Sequence, residues 1–222
     1  KLVLLIKHVF GVSTTPDELF NVGIRTIDPN AINHAIEKGY RIKLLSRAEK
    51  IGNEIVGFFA PHFLDEEHFA YAVDSEFNAV IVQALFSEKQ LFIGKGAGSF
   101  PTASAVLSDV SALKFDYRYE YRRSDSNREL SCTNEFFLKV YIGSSNMNTI
   151  EEISFYRVDE VFQSETYCFI IGNVKFNELR LIDFNSRPDL TLIVFSEGVQ
   201  KSLDSDGSNQ KIRFSTFETV FE

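Results

Sequence analysis

The sequence predicts an α+β protein: a mixed sheet with helices on one face, followed by a second, smaller α+β unit. Three observations predict it. Apolar residues at helical spacing alternate with period-two stretches over the first 113 residues. A polar, loop-like stretch, Ser124 to Arg128, interrupts the chain. After it, strand patterns dominate, with short helical segments between them. We therefore place a boundary there, giving units 1–123 and 124–222. Two small domains suit a chain of 222 residues, and 44% hydrophobic with 24% charged residues is ordinary globular composition.

Each element follows from local signals. Lys1 to Phe10 is apolar nearly all round, the mark of a buried helix, and Gly11 ends it. Thr15 caps a short helical turn at Pro16, Asp17 and Glu18. Gly23 to Ile27 alternates and reads as a short strand. Asp28 and Pro29 start a helix with Ile32, Ala35 and Ile36 at helical spacing, stopped by Gly39. Tyr40 to Ala48 and Ile55 to Pro61 read as a hairpin about Ile51-Gly52-Asn53. Ala79 to Leu85 and Gln90 to Ile93 form a second strand pair. A glycine-rich stretch, Gly94 to Gly98, leads to a helix from Thr102 to about Leu113. A charged aromatic stretch, Phe115 to Arg123, closes the first unit. In the second unit, strands are read at Phe136 to Ile142, Ile153 to Phe162, Tyr167 to Val174 and Leu190 to Phe195, with a short helix in Lys175 to Ile182. The tail is polar through Asn209, then shows a weak strand pattern from Lys211 to Phe217.

Composition excludes some functions. Twenty-two phenylalanines with no Trp and one Met make a Phe-based core rather than a base-stacking platform. A formal net charge of −8 repels polyanions, so no nucleic-acid partner is expected. No apolar run approaches the roughly 20 residues that span a bilayer, so no membrane partner is expected. No signal peptide is visible. Cys132 and Cys168 are the only cysteines and form no CxxC pair, which points to a reduced, cytoplasmic compartment. The chain opens on Lys1 inside a core-like helix, so it reads as the rear part of a longer protein.

Chemistry has few candidates. Gly94 to Val106, GKGAGSFPTASAV, has a strand entering, three alternate glycines and a helix leaving. Glycines let a phosphate approach the backbone, and a helix N-terminus offers free N–H groups. The stretch matches neither GxxxxGK[ST] nor GxGxxG, so phosphate contact and a plain tight turn both stay open. His62 to His68, HFLDEEH, has the donor types of a metal site, but Asp65, Glu66 and Glu67 read as a solvated turn, and no metal is expected. Lys1 on its own is a solvated lysine at a chain start.

Five segments together carry a resemblance. GKGAGSFPTASAVLSDV is similar to the GxGAGxxPTAxAVxxD segment of homoserine dehydrogenases. KGYRIKLLSRAEK (38–50), DSEFNAVIV (74–82), VGIRTIDPNAINHAIEKG (22–39) and KLVLLIKHVFG (1–11) resemble other segments of that family, in matching order and spacing from Lys1 to about Val110. The resemblance implies a substrate and dimerisation region with a helix returning to a nucleotide-binding Rossmann domain. It implies NADPH- or NADH-dependent reduction of L-aspartate 4-semialdehyde to L-homoserine, on the route to threonine, methionine and isoleucine. It places Lys1 on the catalytic lysine, the proton donor to the carbonyl oxygen. It places Gly98 beside the nicotinamide cofactor, with Gly96 and Ala97 adjoining.

There are departures. The Rossmann fingerprint, the acidic residues that hold the homoserine amino group and the cation-binding loop would all precede Lys1. The cofactor, NADP or NAD, would be bound mainly by that preceding domain, and this chain alone is expected to be inactive. The second unit resembles an ACT domain, βαββαβ, which implies an amino-acid effector such as threonine and a homodimer or higher homo-oligomer. Its usual glycine after the first strand is replaced by SSNMNT. The alternative reading is a non-catalytic ACT-type amino-acid-binding or dimerisation protein.

Overall fold

The computed structural model describes residues 1–118, 130–197, 199–201 and 215–221. In chain order the elements are α1 (Leu2–Phe10), a 3-10 turn (Pro16–Glu18), β1 (Phe20–Asn21), α2 (Pro29–Lys38), β2 (Arg41–Ile51), β3 (Glu54–Leu64), β4 (Phe77–Gln83), β5 (Gln90–Lys95) and α3 (Ser99–Lys114). There follow β6 (Ser131–Cys132), β7 (Phe137–Ser144), α4 (Met147–Glu151), β8 (Phe155–Gln163), β9 (Cys168–Lys175), α5 (Phe176–Leu179), β10 (Leu190–Phe195) and β11 (Ser215–Phe221). The fold is a mixed α+β one, as the sequence predicts.

Among the described residues the strands form one sheet, in the order β5–β4–β11–β2–β3–β10–β7–β9–β8, with β1 and β6 pairing to β3. Helix ends follow the expected chemistry. Asp28 caps α2 by accepting from the Asn30 N–H at 2.8 Å, and Gly39 closes it at φ 73°. Gly11 closes α1 at φ 74°. These positive φ values are ones a β-carbon resists. Thr15 and Glu18 form a reciprocal capping box.

Helix α1 buries Leu2, Ile6 and Phe10 against Ala48 and Ile55, while Leu4 stays exposed. So the helix is apolar all round but buried along one stripe, at i, i+4, i+8. Helix α2 packs Ala31 and Ala35 on Phe63. Ile55 and Phe63 are both odd residues of β3, so α1 and α2 share one face of the sheet. The other face carries Val56, Phe58 and Ala60, packed with Ile150 of α4 and with Phe176 and Leu179 of α5.

Two departures from expectation are local. Gly23 to Ile27 is turn and coil rather than strand. The pairing falls earlier: Phe20 and Asn21 run parallel to Phe58 and Phe59, and an Ile27 N–H to Ile24 carbonyl contact of 3.3 Å turns the chain away. Strand β4 begins two residues before the expected Ala79, because Phe77 already pairs with Lys95.

The expected boundary at residues 124–128, and most of the Phe115 to Arg123 stretch, lie outside the described residues. On either side of it the two halves share the sheet: Val194 and Phe195 of β10 run parallel to His62 and Phe63 of β3. Helix α2 of the first half also packs with Tyr141, Phe169 and Ile171 of the second. Residues 137–195 follow a β–α–β–β–α–β path with antiparallel order β10–β7–β9–β8. The weak tail strand is β11, from Ser215; positions 211–214 lie outside the described residues.

Candidate active site

Lys1 stands at the N-cap of α1, exposed, and its carbonyl accepts from the Leu5 N–H at 3.1 Å. The buried stripe of Leu2, Ile6 and Phe10 fixes the helix on which it sits. A lysine at this end opposes the helix dipole, a loss of about 0.3–1 kcal/mol for stability alone. The same arrangement concentrates positive potential, which suits a reaction in which negative charge develops on a substrate oxygen.

Gly96, Ala97 and Gly98 leave the end of β5 and open α3, all exposed. Two of the glycines answer to different needs. A β-carbon on Gly96 would overlap the Asn78 amide, so its missing side chain makes room for a neighbouring strand. Gly98 is the N-cap of α3 at φ 117°, ψ 156°, a conformation essentially confined to glycine. Thr102 closes the turn, its N–H at 3.2 Å and its hydroxyl at 2.8 Å both donating to the Gly98 carbonyl. On Gly98 an added β-carbon would meet only Pro101 within 4 Å, so that side of the loop is open. Lys95 and Glu76 brace the approach with a 2.8 Å ion pair.

These residues come from separate parts of the sheet. Helix α1 lies over β2 and β3, whereas the glycine loop ends β5, the edge strand, three places from β2. No residue of α3 is buried. Phe100, Val106, Leu107, Val110 and Leu113 are all more than half exposed. An apolar helix face of this extent marks a surface meant to be covered.

A buried ionic group lies between these elements, and sequence reasoning missed it. Arg47 of β2 pairs with Glu49 at 3.1 Å and with Glu218 of β11 at 3.6 Å. Glu218 also accepts from His68 Nε2 at 3.2 Å, while His68 Nδ1 accepts from the Ala70 N–H, which fixes the tautomer. Burial pushes the Glu218 carboxyl up, but Arg47 and His68 overcome it and hold the pKa down at about 2. His62 is fully buried, with Nδ1–H donating to the Ala60 carbonyl at 2.8 Å. Burial, then the nearby Arg47 charge, push its pKa down to about 3, so it stays neutral. His62 and His68 thus have different partners. Among the described residues no group of three or more His, Cys, Asp or Glu is gathered to hold a metal ion. Cys132 and Cys168 are both free thiols. The signal that could have found the ionic group is three charged residues in β2 and β11 at core positions. Alternation alone gives no partner 150 residues away.

Two cavities lie elsewhere. One of about 490 Å³ is lined by residues including Thr14, Glu18, Cys132 and Arg180. The other, about 650 Å³, lies between α2 and β2. Neither is lined by Lys1 or by Gly96 to Gly98.

A mixed sheet with helices packed on it, a lysine at a helix N-terminus and an exposed glycine junction define an α+β class of protein. Comparison with known proteins narrows it. The homoserine dehydrogenase family profile matches residues 1–111, half of the 222-residue chain. The chain belongs to the homoserine dehydrogenase family. It is 33% identical over 110 residues to the homoserine dehydrogenase of Lactococcus lactis, and 36% over 110 residues to that of Neisseria gonorrhoeae. Each match covers 50% of this chain but only 26% and 25% of the respective relative, so the chain aligns with about a quarter of their length. In fold it is similar to a crystal structure of homoserine dehydrogenase from Thiobacillus denitrificans, with TM-score 0.65 and 23% identity. That likeness covers 88% of this chain and 51% of that one, and so extends into the second half. A homoserine dehydrogenase structure from S. aureus gives TM-score 0.58 over 89% of this chain, at 22% identity.

Proposed function

We propose that this chain supplies the catalytic lysine, the central sheet and a regulatory unit of a homoserine dehydrogenase that reduces L-aspartate 4-semialdehyde to L-homoserine. The observation that carries the reading is the family match over residues 1–111, which takes in Lys1, helix α1 and the glycine junction at residues 96–98. NADPH or NADH, when bound, supplies the hydride to the carbonyl carbon. The Lys1 ammonium donates a proton to the carbonyl oxygen and stabilises the charge that develops there. The open side of Gly98 and the bare N-terminus of α3 fit a nicotinamide cofactor, with Gly96 and Ala97 shaping the turn. The exposed apolar face of α3 fits the surface of a nucleotide-binding domain that holds most of that cofactor. Among the described residues no helix is long and apolar enough to cross a membrane.

The second half is read as an ACT-like regulatory unit acting in a homodimer. Its β–α–β–β–α–β path and β10–β7–β9–β8 order support that reading. An amino acid such as threonine is the proposed effector.

The test is homoserine-dependent NADP or NAD reduction by the full-length gene product, with and without Lys1→Ala. Loss of at least about a thousandfold in kcat with intact folding supports the lysine's role. Equal activity in both removes Lys1 from the chemistry. Activity in neither sinks the enzyme reading and leaves an ACT-type binding protein.

A further inference from the structure

We propose that β11, the strand after the regulatory unit, is a positioning element of the active site, and that Glu218 is the positioning residue that keys it into the sheet. The placement of Lys1 and Gly98 in one active site rests on the function proposed above; the role of β11 in holding the sheet does not.

Topology carries the first part. Strands β4 and β5 bear the glycine loop, and α1 with Lys1 lies over β2 and β3. Strand β4 does not pair with β2. Thr216 to Val220 pair with Gln83 to Ala79 on one side, and Ser215 to Phe221 with Lys50 to Leu44 on the other. Among the described residues, every ladder hydrogen bond joining the β4–β5 hairpin to the rest of the sheet therefore runs through β11. Remove it and β4 and β2 lie a strand's width too far apart to bond, about 9–10 Å rather than 4.8 Å.

Side chains carry the second part. Glu218 sits at the middle of β11, directly opposite Arg47. One carboxylate oxygen faces Arg47 of β2, and the other accepts from His68, in the connection between β3 and β4. A single carboxylate thus ties β11 both to β2 and to the connection that leads into β4. Arg47 is 2% exposed and the Glu218 side chain 6%, so water does not substitute for either partner. The Ser196 carbonyl, just after β10, accepts from the same guanidinium at 3.4 Å. The second half of the chain therefore reaches the group from two directions, and a shift of that half bears directly on the strand that places the glycine loop.

The experiment uses the full-length gene product in three forms: wild type, Glu218→Gln, and a form ending at residue 214. Hydrogen exchange is followed in β2, β3, β4, β5 and β7, together with kcat and the KM for the nicotinamide cofactor. On truncation, exchange in β4 and β5 should rise about a hundredfold while β3 and β7 hold. Added peptide of residues 215–222 should restore protection, and the same peptide carrying Glu218→Gln should not. Glu218→Gln should raise the cofactor KM about tenfold with kcat within about twofold. Loss of a merely structural contact would instead lower the active fraction, and so kcat, at unchanged KM. Unchanged exchange in β4 and β5 on truncation overturns the proposal, as does equal rescue by both peptides. A wild type without dehydrogenase activity sinks the enzyme reading only, because exchange still reports on β11.

Discussion

Gly98 combines a backbone that only glycine adopts easily with an open outer side. Gly98→Ala should cost about 1–3 kcal/mol through strain at φ 117° and raise the KM for the nicotinamide cofactor. Gly94 is the control, since it has no positive φ and nothing within 4 Å of an added β-carbon. Gly94→Ala should leave the melting temperature almost unchanged. If both variants lower the melting temperature and neither moves the KM, the loop is a turn and no more. A second prediction concerns acid. In the folded chain His62 is held near pKa 3 from its ordinary 6.5, so only the unfolded chain takes that proton as pH falls below 6.5. Its neutral state therefore contributes stability above 6.5 that is lost as pH drops toward 3. Glu218, lowered from 4.5 to about 2, adds a second loss between those values. The melting temperature should fall below pH 6.5 and more steeply below 4.5. His62→Leu should remove only the first part, and an unchanged profile in that variant would refute the assignment. Sequence reading singled out Lys1 and the glycines because linear segments carry them. It read Asp65 to Glu67 as a solvated turn, which they form, but nothing local says that His62 lies inside a strand or that His68 meets a residue of the tail.

Elements with strong end signals were legible. Both α1 and α2 end at glycines in the left-handed region, and the Asp28-Pro29 start is where expected. Gly23 to Ile27 alternates convincingly but joins no strand ladder: the Gly23 N–H donates to Asn185 Oδ1 and the Thr26 carbonyl accepts from the Thr191 hydroxyl, while β1 takes the edge of β3 two residues earlier. Pattern reports which face is apolar, not whether a partner edge is free. Helix α1 anchors Lys1 through Ile6, which is fully buried. Ile6→Ala should cost about 2–5 kcal/mol and shift Lys1 with the helix, seen as a lower melting temperature and lower kcat. For α3 the expectation splits. Leu107→Glu with Val110→Lys should change the stability of this chain alone by no more than about 0.5 kcal/mol per site, because both are exposed. In the full-length protein the same pair should lower the melting temperature and the activity. No difference there would show that α3 is not a docking face.

At the scale of the molecule, the sequence foretold two units and the structure joins them. Two of the core clusters draw on residues from both halves: one sets Phe58 and Ala60 beside Leu138 and Leu192, the other Ala31 and Phe63 beside Tyr141 and Ile193. That coupling was invisible in the sequence because a polar break between patterns looks the same whether the flanking strands share a sheet or not. Thermal unfolding should accordingly be a single transition, with far-ultraviolet circular dichroism and tyrosine fluorescence coinciding. Two separated transitions would show that the halves are independent.

The place of β11 also bears on how the protein is made. Translation runs at about 5–20 residues per second, so β4 and β5 leave the ribosome on the order of ten seconds before the strand that lies between β4 and β2. During that interval two long edges stand bare in the nascent chain, with Leu45 of β2 and Ile81 of β4 beside the vacancy. Bare edges recruit other chains. Messages cut short before the codon for residue 215 should therefore yield aggregates and chaperone clients rather than a slightly weakened protein.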